Sequence, residues 1–406
     1  MPLVPLDDAR AHVLGACRVL APVTVALAEA LGRVAAEAVT AGEPVPPFDN
    51  SAMDGFAVRA ADTAGAPVTL PVVATLAAGD PPGVTLGPGQ AVRVMTGAVL
   101  PEGADAVVMV EHSAPIDGGR SVEIHRAVTP GTAWRRAGDD IAAGTVVVAP
   151  ATVLGPAHLG VLASVGAEGL AVHPAPRVGV ISTGDELVSG GAPLAPGQIR
   201  DSNRPTLAAL VRRSGAVAVD LGTVADDEDA LTRAFTAAAA SCDAVVTSGG
   251  VSMGAFDLVK VVLDRLGDMR WMQIAIKPAK PFAFGLVGTT PVFGLPGNPV
   301  SSMVGFELLA RPALRKMMGF PPSQWVRPVV PAVAGEDLPR RPDGKTHFAR
   351  VVVVMGEDGR YRVTSAGGQG SHQLSAMAGA NALAVLGDGG GVASGEPVGV
   401  MVLDSP

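Results

Sequence analysis

Two of the five lysines in this chain stand three residues apart, in Lys277-Pro278-Ala279-Lys280-Pro281. Prolines flank both and restrict the backbone that carries the ammonium groups. In a chain of net charge −8, that pattern points to a dedicated site for phosphate or another oxyanion. The plainer alternative is a solvated loop between strands.

Other segments carry complementary chemistry. Ser248-Gly249-Gly250-Val251-Ser252-Met253-Gly254 lies between a strand and a helix, where backbone N–H groups can turn toward an anion. The competing reading is a tight turn that uses glycine for positive φ. No GK[ST] follows, so it is not a P-loop, and Gly184 belongs to no G-x-G-x-x-G. Glu186, Asp226 and Asp257 follow separate strands, and converging carboxylates suit a hard cation such as Mg²⁺. For the run Asp226-Asp227-Glu228-Asp229, helix capping is the alternative. A fourth loop reads Leu295-Pro296-Gly297-Asn298-Pro299-Val300-Ser301-Ser302. Earlier, Asp49 to Asp54, Met95-Thr96-Gly97-Ala98 and Arg135 to Asp140 read on physical grounds only as structured turns. The seven histidines form no ligand-spaced pair. Cys17 and Cys242 lack metal spacing and fit a reducing cytosol.

The elements that must position these loops have three textures. Residues 1–44 show helical spacing in ARAHVLGACRVL and VALAEALGRVAAEAV, predicting two helices. Residues 45–150 are short strands and turns. From 175 to 320, strands alternate with helices, predicting a parallel sheet covered on both faces, with a ligand beyond the carboxyl ends of its strands. SNRPTLAALVRRSG should be a helix capped by Ser or Asn, and SSMVGFELLARPALRKMMG another. Short strands return after Pro321-Pro322, predicting a small all-β domain from about residue 328.

Length and composition set the outer limits. At 406 residues and 48% hydrophobic, the chain has room for two to four domains. Its acidic balance argues against a nucleic-acid binder. MPLVPLDDAR shows no basic region before an apolar core, so no signal peptide is expected. Residues 141–167 carry no Asp, Glu, Lys or Arg, but prolines and glycines break them into a strand, a turn and a helix rather than a membrane span.

Taken in order, PPFDNSAMDGFAV, MTGA, RRAGDDI, STGDEL, DSN, TSGGVSMGAFD, KPAKPFAFG and LPGNPVSS resemble the molybdopterin molybdenumtransferases, the molybdenum insertases related to the E domain of gephyrin. The resemblance implies a multidomain α+β and α/β protein. Its parts would be an elongated dimerisation domain (1–44 plus 137–174), a β-rich insert (45–136), an α/β molybdopterin-binding domain with a mostly parallel sheet (175–327), and a small C-terminal β-barrel-like domain (328–406). It implies insertion of molybdenum from molybdate into adenylylated molybdopterin, with release of AMP in the presence of Mg²⁺, by a cytoplasmic homodimer. Contact with the adenylyltransferase would be transient, with no nucleic acid and no membrane. By motif match, Asp54, Thr96, Glu186, Asp226 and Asp257 are implied in catalysis, the last three also as metal ligands. Ser248, Gly249, Gly250, Ser252, Lys277, Lys280, Pro296, Pro299, Ser301 and Arg350 are implied as substrate contacts, while Arg135 and Asp140 match less closely. Ala279 stands where the family usually has glycine, which would strain the loop if that position needs positive φ. A tungstate-using homologue, the adenylyltransferase itself and a non-catalytic scaffold are the rival readings.

Overall fold

The first helix is α1 (Leu6–Ala16), with Asp7 and Asp8 in its opening turn, where acidic side chains complement the helix dipole. It buries Ala9 and Val13 against the middle of the chain. The second predicted helix does not form. Val23–Ala26 is instead a strand, antiparallel to Gly169–His173, and Val34–Ala35 pairs with the other edge of that strand. Gly32, at φ 74°, breaks the helical run. The sheet hydrogen bonds override the weak helical preference of an Ala-rich segment. These features belong to a computed structural model, which describes residues 2–250 and 258–403.

Residues 50–135 form an insert. Six of its strands make one sheet, in which Gly55–Val58 lies between Ala91–Val94 and Ala106–Met109. The chain enters and leaves through one ribbon, where the Val45 N–H donates to Ile141 O and the Gly138 N–H to Pro46 O. The uncharged stretch 141–167 resolves into strand Val146–Val148, a turn and helix Pro156–Ser164. Among the described residues no helix is long and apolar enough to cross a membrane.

The middle of the chain alternates as its sequence predicts. The elements are β1 (Arg177–Thr183), α2 (Asn203–Arg213), β2 (Val217–Val224), α3 (Glu228–Ser241), β3 (Ala244–Ser248), α4 (Leu258–Leu266), β4 (Asp268–Gln273), β5 (Ile276–Lys277), β6 (Pro281–Val287), β7 (Thr290–Leu295), α5 (Pro299–Gly305) and α6 (Arg311–Met317). The sheet order is β2-β1-β3-β7-β6-β4. The first four strands are mutually parallel; β6 runs antiparallel to both of its neighbours, β7 and β4, so the sheet is mixed rather than wholly parallel. One face buries Leu207, Leu210, Val211, Val300 and Phe306; the other buries Leu231, Phe235, Val259 and Val262. The expected cap of α2 is also different. Neither Ser202 nor Asn203 caps it; Asp201 Oδ1 accepts the Arg204 N–H at 3.1 Å.

The last long helix is not uniform. Between α5 and α6, Phe306–Ala310 is a π turn. Pro312 has no N–H to give to Leu308 O four residues back, and Arg10 Nε takes that carbonyl at 3.2 Å. The turn also carries buried Glu307, which accepts from Arg327 at 2.7 Å and Arg213 at 2.8 Å and lies 3.7 Å from Arg311. Burial pushes the Glu307 carboxyl up, but Arg327 and then Arg213 pull it below its ordinary value.

The C-terminal strands are β8 (Val329–Ala334), β9 (Thr346–Met355), β10 (Tyr361–Ser365), β11 (Ala382–Leu386) and β12 (Pro397–Val402). They follow the order β9-β10-β8-β12-β11, and β9 pairs with β11 to close a five-stranded barrel. Val351 and Val353 fill the barrel, whereas Phe348 joins the core of the middle domain. Strand β5 adds to β9 in parallel, with Lys277 opposite His347. The lysine loop is thus stitched to the barrel.

Candidate functional site

The parallel strands end in register, with Thr183 beside Val224, Ser182 beside Ser248, and Ser248 beside Leu295. Their following loops therefore gather on one edge, where a ligand is expected in such sheets. Asn203, at the start of α2, ties two of them together: its Nδ2 donates to Ser248 Oγ and to Gly297 O, both at 2.6 Å. Its Oδ1 is buried and has no partner among the described residues. The Gly249 N–H donates to Leu295 O at 3.1 Å, and at φ 94° a Cβ there would press on Thr183 O at 3.0 Å. Gly250 also has positive φ, and a Cβ on it would overlap Val259. Both glycines are required by close packing as well as by backbone conformation. Ser252 and Asp257 lie outside the described residues.

The acidic loops sit next to each other. Asp185 Oδ1 accepts the Asp226 N–H at 3.0 Å, and the Glu186 carboxylate lies over Gly184. Capping of α3 falls to Asp227, which accepts the Ala230 N–H at 2.8 Å, so Asp226 is not needed for that duty. Among the described residues no three His, Cys, Asp or Glu side chains form a group able to hold a metal ion.

The cationic part lies where the middle domain meets the barrel. Lys277 and Lys280 are exposed, while Pro278 and Ala279 between them are buried. Ala279 has φ 72°. Alanine here occupies the left-handed conformation suited to glycine, at a cost of about 1–2 kcal/mol. Its methyl packs beside Gly305 of α5, where an added Cβ would come within 3.4 Å of it. At the first turn of α5, Pro299 leads to buried Ser301, and Ser302 Oγ donates to Pro296 O. The Val300 N–H donates to Ser371 O at 3.1 Å, which brings barrel loop 366–373 onto the helix N-terminus.

Arg350 is at the centre of this junction. It has the strand parity of Phe348, so it faces the middle domain. Its exposure is 0%, yet among the described residues it forms no ion pair. One guanidinium nitrogen donates to Gly368 O at 2.6 Å and Gly370 O at 3.2 Å; Nε and Nη1 are buried without partners among the described residues. Burial lowers its pKa. A buried cation with two unspent donor nitrogens is arranged for an anion that the described residues do not supply.

Asp54 and Thr96 are on the insert and pair with each other: the backbone N–H and Oγ1 of Thr96 both reach Asp54 Oδ1 at 2.7 Å. The Thr96 amide, then its hydroxyl, hold the Asp54 carboxyl below its ordinary value. Asp49 accepts the Ala137 N–H at 2.8 Å. The polar block read as a structured turn thus has turn-fixing bonds, to Thr96 and to Ala137. Arg135 is opposite Asn50 in a two-residue pairing. Asp140 donates its N–H to Val45 O at 3.0 Å. Sequence reasoning gave Asn203 only a capping duty and a place in the DSN motif, and assigned no role to the Gly367–Ser371 loop, where the glycines of GGQGS were the available signal.

A mixed sheet with polar loops gathered on one edge, a β-rich insert and a barrel closing over a cationic loop make up a multidomain protein, and the comparisons give its class, a transferase of molybdenum cofactor biosynthesis. Residues 4–166 match the MoeA N-terminal region (domain I and II), 179–316 the probable molybdopterin binding domain, and 331–403 the MoeA C-terminal region (domain IV). The chain is 44% identical over 384 residues to molybdopterin molybdenumtransferase 2 of Mycobacterium tuberculosis (strain H37Rv), covering 92% of each chain. It is 41% identical over 374 residues to the molybdopterin molybdenumtransferase of Haemophilus influenzae, covering 92% of this chain and 91% of that one. A crystal structure of the molybdopterin biosynthesis moeA protein from Pyrococcus horikoshii superposes with TM-score 0.81 at 30% identity, over 99% of this chain and 100% of that one. The chain belongs to the molybdopterin molybdenumtransferase family.

Proposed function

We propose that this transferase takes adenylylated molybdopterin and molybdate, places the metal on the dithiolene sulfurs and releases AMP. The observation that carries the reading is Arg350, a buried guanidinium with two unpartnered nitrogens. It faces the same junction as Lys277, Lys280 and Ser301. On this reading those four residues hold the oxyanion. Ser248, Gly249, Gly250 and Ser252 meet the phosphate groups, and Pro296 and Pro299 shape the adjoining wall. Glu186, Asp226 and Asp257 are an all-oxygen donor set suited to a hard cation, and would hold Mg²⁺. When bound, Mg²⁺ would neutralise charge on the phosphates. Asp54 and Thr96 act from the insert of a second copy in a homodimer. The four-part domain division given above, a cytoplasmic location and transient contact with the adenylyltransferase belong to the same reading. The experiment is calorimetric titration of molybdate into the Lys277→Ala/Lys280→Ala variant. Affinity should fall at least about tenfold with the fold unchanged. An unaltered affinity removes the oxyanion role. Incubation with ATP and unmodified molybdopterin tests the rival reading, since adenylylation would identify the preceding enzyme instead.

A further inference from the structure

A cavity of about 130 Å³ opens at the amino ends of the parallel strands, beside Ala175 before β1 and Gly215 before β2. This is the edge of the sheet opposite the loops described above. Arg33, His173, Arg213 and Arg315 line it, together with Ser214 and Phe320, and no Asp or Glu among the described residues does. In a chain of net charge −8, four basic side chains around one small cavity are not a sampling of its surface.

Among the described residues Arg33 makes no ion pair or side-chain hydrogen bond. Arg315 lies over the Phe320 ring, 3.2 Å from its centroid, and donates to Gln324 O at 3.3 Å, a neutral partner. Glu307 meets this cluster through Arg213, and it is shared with Arg327 and Arg311. His173 Nδ1 is 2.9 Å from Leu20 O, a carbonyl that can only accept, so Nδ1 carries the hydrogen. Burial, then Arg311 and Arg327, push Arg315 down to about 10, and an anion beside it would favour the charged form.

We propose that this cavity binds a phosphate group, as inorganic phosphate or as the phosphate end of a small metabolite, at a site separate from the substrate edge. Its volume admits one tetrahedral oxyanion and excludes a whole nucleotide, since sites for drug-sized ligands run to roughly 300–1,000 Å³. Arg33 and Arg315 supply the unshared charge, Arg213 closes one side, and Ser214 and the His173 ring complete the wall. The proposal does not rest on the assigned reaction.

The test is calorimetric titration of inorganic phosphate into the Lys277→Ala/Lys280→Ala protein, so that the lysine loop does not contribute. Binding should be retained there. It should weaken at least about tenfold when Arg33→Ala is added, and again with Arg315→Met. Arg33→Lys should recover most of it. Arg33 is half-buried with no partner to lose among the described residues, so its variant reports on charge without threatening the fold. AMP in place of phosphate separates the sources: Arg33-dependent binding tighter than that of phosphate assigns the site to a phosphorylated metabolite, and weaker binding assigns it to the free ion. Three results overturn the proposal. One is no binding to the lysine variant; another is binding indifferent to Arg33 and Arg315. The third is an Arg33 effect confined to self-association in sedimentation, which would give the counterion to a second copy's carboxylate.

Discussion

Arg350→Met exchanges a buried guanidinium for an apolar chain of similar length. Two hydrogen bonds are lost, to Gly368 O and Gly370 O, each worth about 1.5–3 kcal/mol because the donor is charged. Two buried nitrogens, Nε and Nη1, which have no partner among the described residues, are removed as well, each costing about 1–3 kcal/mol. The terms nearly cancel, and the desolvation of an unpaired cation is an added cost that the variant escapes. In oxyanion-free buffer the variant should therefore unfold at the wild-type temperature or slightly above it. With molybdate at a hundred times its dissociation constant, the wild type should gain about 2.7 kcal/mol and the variant almost nothing. The order of the two melting curves thus inverts on adding ligand. Differential scanning calorimetry with and without molybdate reads both. If the variant melts well below wild type in both buffers, Arg350 is a structural cation and the reasoning from its unspent donors fails.

Two other expectations concern charge. Glu307→Ala leaves Arg213, Arg311 and Arg327 around an empty position and should destabilise by about 3–5 kcal/mol in urea unfolding; Glu307→Gln should cost less, and a loss under about 1 kcal/mol would show the cluster to be solvated. The Asp343 carboxyl is pulled down to about 2, first by Lys345 and then by His347. Its folded pKa lies below the unfolded value near 3.9, so its contribution is present above that value and is lost as pH falls from about 4 to about 2. NMR titration of Asp343 should show the low midpoint, and a midpoint near 4 would refute the pairing.

Much of the middle domain is legible in the sequence because each element there satisfies a local rule. Buried strands such as RVGVIST end in polar loops, and DEDALTRAFTAAAA begins with its own cap at Asp227. Prediction failed where partners distant in the chain decide. Val23–Ala26 has helical spacing, but its hydrogen bonds come from residues near 170. The antiparallel edge strands β4 and β6 follow one another without the helix that marks a parallel crossover. The π turn at 306–310 depends on Pro312, visible in sequence, and on Arg10, about 300 residues away, which was not. At the site, residue types in the loops after β1, β3 and β7 could be recognised by pattern. The burial of Arg350 could not, because it arises only when the barrel closes on the middle domain. Asp49 and Asp54 read as turn residues without named partners, because those partners, Ala137 and Thr96, lie in other segments.

The seat of α1 has a consequence for the growing chain. Arg10 bonds to Leu308 O, Lys316 Nζ bonds to Leu14 O, and the Val4 N–H bonds to Gln273 O. The first helix is therefore among the last elements to find its place. About 300 residues must be made after it before its docking surface exists, and at roughly 5–20 residues per second that takes about 15–60 s. Throughout that interval Val13 and Cys17 have no core to enter. A ribosome translating this message carries the unseated helix past an entire β-rich insert before its surface is made. The order of synthesis and the order of docking are thus reversed at this one short helix.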